Sequence, residues 1–117
     1  MVYGVIGVII WTENMKSMLE FYRDILELPL HSEHPGFIAF KFGGFRLNLG
    51  LHDKVKGPNK EPFRIMINLG VEDIAEKHSR LSQKGVTFIR TPEKEPWGGW
   101  VSTFYDPDGN ILQLLQV

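Results

Sequence analysis

The sequence predicts an α+β fold built from two successive β-α-β-β-β modules, whose strands form a cupped mixed sheet with the helices on its outer face. Three observations predict it. Residues 52–62 are rich in lysine, proline and glycine, hold almost nothing to bury, and divide the chain of 117 residues near its middle. On either side of them the apolar pattern runs in the same order: strand, helix, then three strands. Superposing the halves lays residues 2–11 on 61–70, 45–51 on 110–116 and one helix on the other, as a duplication would. The chain is therefore read as a single domain, 1–117, with a first module at 1–52, a connector at 53–61 and a second module at 62–117.

Each element follows from local chemistry. Residues 2–11 are β-branched and almost continuously apolar, which suits a strand buried on both faces. Thr12, Glu13 and Asn14 supply cap residues. Met15, Met18, Leu19, Phe21, Tyr22, Ile25 and Leu26 then recur at helical spacing until Pro29, which predicts an amphipathic helix lying on a sheet. A short strand at 28–32 and a turn at Pro35-Gly36 follow. Residues 37–42 and 45–51 make a hairpin about Gly43-Gly44, because glycine accepts the positive φ of a two-residue turn.

The second half repeats the grammar. Residues 63–70 read as a strand, and 72–84 as a helix with Ile74, Ala75, His78 and Leu81 on one face, stopped by Gly85. A strand at 86–90 leads into 91–99, a loop with two prolines and two glycines whose Trp97, with Trp100 just beyond, is a candidate lid. Residues 100–106 and 110–117 close the half as a hairpin around Pro107-Asp108-Gly109.

Composition removes several function classes. Apolar residues at 43% and charged residues at 23% describe a folding chain, not a disordered one. Thirteen basic against fourteen acidic side chains lack the positive excess that nucleic-acid binding requires, so no nucleic-acid partner is expected. The absence of cysteine excludes disulfides, thiolate nucleophiles and Cys-ligated metals. The apolar run at 1–11 is too short to span a bilayer and has no basic leader, so a soluble, cytoplasmic protein without a membrane partner is expected.

Three passages carry a family resemblance: the helix sequence from Asn14 through Phe21-Tyr22 to Leu26, the loop Pro96-Trp97-Gly98, and the stretch from Tyr105 through Asp106-Pro107-Asp108-Gly109 to Gln113. In this order they resemble the vicinal oxygen chelate superfamily, which includes glyoxalase I, extradiol dioxygenases, fosfomycin-modifying enzymes and bleomycin-binding resistance proteins. Physically the motifs report fold: Phe21-Tyr22 as helix-to-sheet packing, Asp106 to Gly109 as a tight turn. The resemblance implies four metal-ligand positions, on the first and last strand of each half, and these fall on Gly7, Asn48, Met66 and Gln113. A glycine, two neutral amides and a thioether are not a donor set for a hard divalent ion, so neither a metal nor another cofactor is expected. The four histidines do not rebuild one: His31 and His34 are placed on opposite faces, His78 on the apolar face of its helix.

Strand parity predicts what lines the cup. Tyr3, Val5, Gly7, Ile9 and Trp11 face it, with Ile6, Val8 and Ile10 toward the helix; Arg46, Asn48, Gly50 and His52 share the next strand's inward parity. In the second half Arg64, Met66 and Asn68 face inward, with Ile65, Ile67 and Leu69 behind them. The family register adds Ile111, Gln113 and Leu115, with Val101, Thr103 and Tyr105 on the strand before. The expected ligand contacts are Trp11, Arg46, Asn48, Arg64, Met66, Trp97, Thr103, Tyr105 and Gln113, a lining suited to a small aromatic or amphipathic molecule. The function expected is metal-independent binding of such a ligand, as in the bleomycin-binding members. An alternative is a metal-free lyase, isomerase or epimerase with His52 or Tyr105 as acid/base and Arg46 or Arg64 holding a substrate carboxylate. A third possibility is an accessory subunit that uses the fold to pair with another protein. The resemblance further implies a homodimer, each cup taking one half from each subunit.

Overall fold

A computed structural model describes all 117 residues, which divide into two compact units, Met1–Gly57 and Pro58–Val117. The eight strands pair as two four-stranded mixed sheets, one per unit.

The first unit comprises β1 (Gly7–Thr12), α1 (Met15–Leu19) continuing as a π-helical segment (Glu20–Ile25), β2 (Leu30–His34), β3 (Phe37–Phe42) and β4 (Phe45–Leu51). Strand order is β1-β4-β3-β2, with β1 parallel to β4 and the other pairs antiparallel. Both hairpins form as the turn residues predict, and Gly43 takes the positive φ of 56°. The helix departs from the regular period. The Leu26 amide donates to the Phe21 carbonyl five residues back at 2.8 Å, and this wider turn buries the sequence neighbours Phe21 and Tyr22 together. Glu27, in the left-handed region at φ 59°, ends the segment two residues before Pro29. Met18, Phe21, Tyr22 and Leu26 form the core with Ile38, Phe40, Leu47 and Leu49, all buried, and the Tyr22 and Phe40 rings lie 6.3 Å apart.

β1 begins at Gly7, not at Val2. Its partner β4 starts at Phe45, directly after the Gly43-Gly44 turn, and the register Gly7↔Arg46 to Thr12↔Leu51 uses that strand up. Only the Ile6 carbonyl still accepts, from the Arg46 amide at 2.9 Å, so Val2, Tyr3 and Val5 lie outside the sheet and are exposed.

The second unit comprises β5 (Met66–Gly70), α2 (Ile74–Gln83), β6 (Phe88–Lys94), β7 (Trp100–Tyr105) and β8 (Ile111–Gln116), in the order β5-β8-β7-β6 with β5 parallel to β8. The Asp73 carboxylate caps α2 by accepting from the Glu76 amide at 3.1 Å, and Gly85 at φ 87° leaves the helix. The Gln116 side chain adds a second cap, its Oε1 accepting from the Ile74 amide at 2.7 Å. Ile74, Leu81, Phe104, Leu112 and Leu114 are buried, and His78 packs edge-on to Phe88 with ring centroids 4.4 Å apart.

Two predicted boundaries move here. β5 starts at Met66 because β8 opens at Ile111, its partner, straight after the Pro107–Gly109 turn. Arg64 and Ile65 therefore precede the strand and carry no parity. β6 runs through Pro92 to Lys94, where a loop was expected. It is an edge strand, and its register shifts between Arg90 and Glu93, so the missing proline amide interrupts no ladder. The chain then reverses in a tight turn, the Glu95 amide donating to the Gly99 carbonyl at 2.8 Å and Gly98 to Glu95 at 2.9 Å.

The connector carries few apolar groups but is tied down. The Gly57 amide donates to the Glu13 carboxylate, while Asn59 donates to the Asp108 carbonyl at 2.8 Å and, through its side chain, to Asn110 at 2.9 Å. No helix is long and apolar enough to cross a membrane.

Candidate functional site

In the first unit the sheet face turned away from the core carries three rows of side chains, set by register. The Lys41↔Arg46 pair stands in one row with Gly7. The next holds Ser32, Ala39, Asn48 and Ile9, and the third His34, Phe37, Gly50 and Trp11. Leu47 and Leu49, between these positions on β4, are buried, which fixes the parity predicted for Arg46, Asn48 and Gly50.

Trp11 dominates the third row. A Cβ on Gly50 would lie 2.5 Å from the indole Cζ3, so the ring lies across Gly50 and only a glycine leaves room for it. Phe37 meets the indole edge-on at 6.4 Å and His52 at 5.2 Å between centroids, and Trp11 remains 40% exposed. The result is an aromatic platform held in place and open on one side. The His52 Nδ1 accepts from the Lys54 amide at 3.1 Å and lies 3.4 Å from an Asp53 carboxylate oxygen.

The middle row contains an unsatisfied group. Asn48 Oδ1 is buried without a hydrogen-bond partner, between the strand neighbours Ile9 and Ala39. At the corresponding place in the second unit both ends of the amide are hydrogen-bonded. Thr103 Oγ1 donates to Gln113 Oε1 at 3.0 Å and Gln113 Nε2 donates to Asn68 Oδ1 at 3.0 Å, a ladder across three strands.

The four positions implied as metal ligands can be tested on this geometry. A Cβ at Gly7 would stand 2.7 Å from the Arg46 carbonyl oxygen, so β1 and β4 leave no space there for any ligating side chain. Gln113 is committed to Thr103 and Asn68, Met66 offers a soft thioether, and Asn48 a neutral amide. Nowhere do three His, Asp or Glu side chains converge. These residues do not fit a divalent metal ion.

The other predicted contacts distribute as follows. Met66 is half-buried at the start of β5, and Tyr105 ends β7, half-buried and paired with Ile111. Trp97 is exposed, its indole folded over Gly99, and Trp100 opens β7 opposite Gln116, so the tryptophans sit in a closed hairpin turn and not in a long lid loop. Arg64 is a correction: it occupies a turn, its amide donating to the Glu61 carbonyl at 3.2 Å and its guanidinium pairing with the Glu61 carboxylate at 3.6 Å in the open. Arg90 and Arg23 are the groups whose acidity shifts. Hydrogen bonds to Glu95 and then Glu93 hold the Arg90 pKa above its ordinary value, and a hydrogen bond to Asp24 does so for Arg23. Both cations already have carboxylate partners. Sequence reasoning missed Lys41 and Phe37 on the open face; their cross-strand pairing with Arg46 and Gly50 is the signal that would have found them.

A β-α-β-β-β unit occurring twice, its first and last strands parallel and its helix behind the sheet, defines the glyoxalase type of fold. The chain belongs to the Glyoxalase/Bleomycin resistance protein/Dioxygenase superfamily, whose family model matches residues 5–114. It is 24% identical over 116 residues to YraH of Bacillus subtilis (strain 168), covering 89% of this chain and 91% of that protein. Among solved structures it is similar to a superfamily member from Sphaerobacter thermophilus DSM 20745, with a TM-score of 0.78, 26% identity and coverage of 99% and 98% of the two chains. It is also similar in fold to a lactoylglutathione lyase from Agrobacterium tumefaciens, with a TM-score of 0.77, 16% identity and coverage of 98% and 94%.

Proposed function

We propose that this protein binds a small aromatic or amphipathic molecule without a metal ion, and does so as a homodimer. The observation that carries the reading is the Trp11 platform: a large aromatic ring on a strand, locked over Gly50 and flanked by Phe37 and His52, yet open to a ligand ring. Metal independence is supported by the closed backbone at Gly7 and the neutral donors at Asn48, Met66 and Gln113. Dimer formation is supported by the apolar segment before β1, where Val2, Tyr3, Val5 and Ile6 are all exposed. Arg46 and Asn48, on the same sheet face as Trp11, are the further contacts we assign to the ligand.

Titrating the protein with aromatic ligands while following tryptophan emission tests this. Binding should perturb the emission and be indifferent to a chelator. Removing a central aromatic anchor typically costs about 2 kcal/mol or more, so Trp11→Ala should weaken the affinity by roughly thirtyfold without changing the circular dichroism. Loss of binding on chelation, or full affinity in the variant, contradicts the reading.

A further inference from the structure

The open face of the first unit is chemically one-sided. Lys41 and Arg46 stand directly opposite each other on β3 and β4, and neither forms an ion pair. Like charges placed so oppose the sheet unless an anion lies between them. The remaining positions on that face contain no carboxylate: Gly7, Ile9 and Trp11 on β1, Asn48 and Gly50 on β4, Phe37 and Ala39 on β3, Ser32 and His34 on β2. Glu33 lies on the opposite face, pairing with Arg23 of the helix at 3.4 Å.

The middle row adds to the same polarity. Because Asn48 Oδ1 is the buried end of its amide, the Nδ2 donor is the end left toward the open face. Turning the amide over would bury two unpaired donors in place of one acceptor. Donors thus run from the cationic row to Asn48, beside the aromatic platform, with no carboxylate among the strand positions of this face.

We infer that the molecule bound on this face is an aromatic anion: a planar ring seated on Trp11 and Phe37, joined by a short linker to a carboxylate or phosphate that takes Lys41, Arg46 and Asn48 Nδ2. The inference rests on the small-molecule reading above and narrows it to one ligand class. The geometry also sets a length. Rows two residues apart along a strand are separated by about 7 Å, so the backbone positions of the aromatic and cationic rows stand about 13 Å apart, a span the Arg46 and Lys41 side chains shorten.

Phenyl-substituted straight-chain carboxylates of increasing length, their primary alcohols of equal length, and the matching phosphonates serve as probes, read by calorimetry and tryptophan emission. The acids should bind at least about tenfold more tightly than the alcohols, as a charge-assisted hydrogen bond gives, with an optimum in chain length. The phosphonates distinguish which oxyanion is preferred. Arg46→Ala and Lys41→Ala should each reduce the acid-to-alcohol ratio, the acids losing several-fold more affinity than the alcohols, and Asn48→Asp should likewise weaken acids more than alcohols. Acids and alcohols binding equally, or a ratio that survives in Arg46→Ala/Lys41→Ala, overturns the inference and leaves the small-molecule reading standing. Failure of every probe, alcohols included, overturns both.

Discussion

Asn48 and Gln113 occupy matching places in the two sheets, yet their side chains are in opposite energetic states. Gln113 accepts from Thr103 and donates to Asn68, so both ends of its amide are satisfied. Asn48 buries an oxygen with no partner. Leaving a buried acceptor unpaired costs about 1–3 kcal/mol, whereas a satisfied hydrogen bond contributes about 1 kcal/mol. Replacement by leucine should therefore act in opposite directions. Gln113→Leu should destabilise the protein by about 1–2 kcal/mol, because Thr103 and Asn68 lose their common partner. Asn48→Leu should be neutral or stabilising by up to about 1 kcal/mol. Denaturant midpoints at unchanged slope measure both. Equal losses in the two variants would mean that Asn48 is satisfied in solution and not held for a ligand.

At the level of elements, most of the order was legible in the sequence, because hydrophobic period and turn chemistry are local. Phe37–Phe42 and Phe45–Leu51 coincide with the strands expected about Gly43-Gly44. What was not legible depends on a distant partner. Apolar pattern alone extends β1 back to Val2, but the strand stops where β4 has no more residues to pair, and Met66 begins β5 for the same reason opposite Ile111. The same limit applies to the site. Parity placed Trp11, Arg46 and Asn48 correctly on one face, but it misplaced Arg64 by treating a turn as strand, and it had no means of pairing Lys41 with Arg46. The Asp106 turn shows local chemistry at its strongest: its buried carboxylate accepts from the amides of Asp108 and Asn110 and from the Asn110 side chain, each at 2.9 Å, ahead of Gly109 at φ 77°. Asp106→Ala should cost about 2–3 kcal/mol, since three donors lose a charged acceptor, and a thermal or denaturant melt reads this directly. A loss below about 0.5 kcal/mol would show that water replaces the carboxylate there.

For the molecule as a whole, the distribution of apolar surface argues for association. Isolated exposed apolar side chains are ordinary, but a run of them in one segment marks a surface that meets another. Val2, Tyr3, Val5 and Ile6 form such a run, each more than 60% exposed, and they contribute nothing to the core of their own unit. β1 is an edge strand, and its backbone beyond Gly7 loses its partner when β4 ends, so this segment offers both apolar side chains and unpaired amides. A second copy of the chain would supply a matching segment, as a two-fold interface requires. Sedimentation at micromolar concentration should give twice the chain mass. Tyr3→Glu/Val5→Glu should shift the equilibrium to monomer by placing unpaired charge in the contact, while leaving the circular dichroism of the fold intact. Ligand affinity in that variant separates two arrangements: unchanged affinity means that each open sheet face is complete within one chain, and a parallel loss means that the second copy contributes to it. A wild-type chain that sediments as a monomer across this range removes the dimer from the proposal.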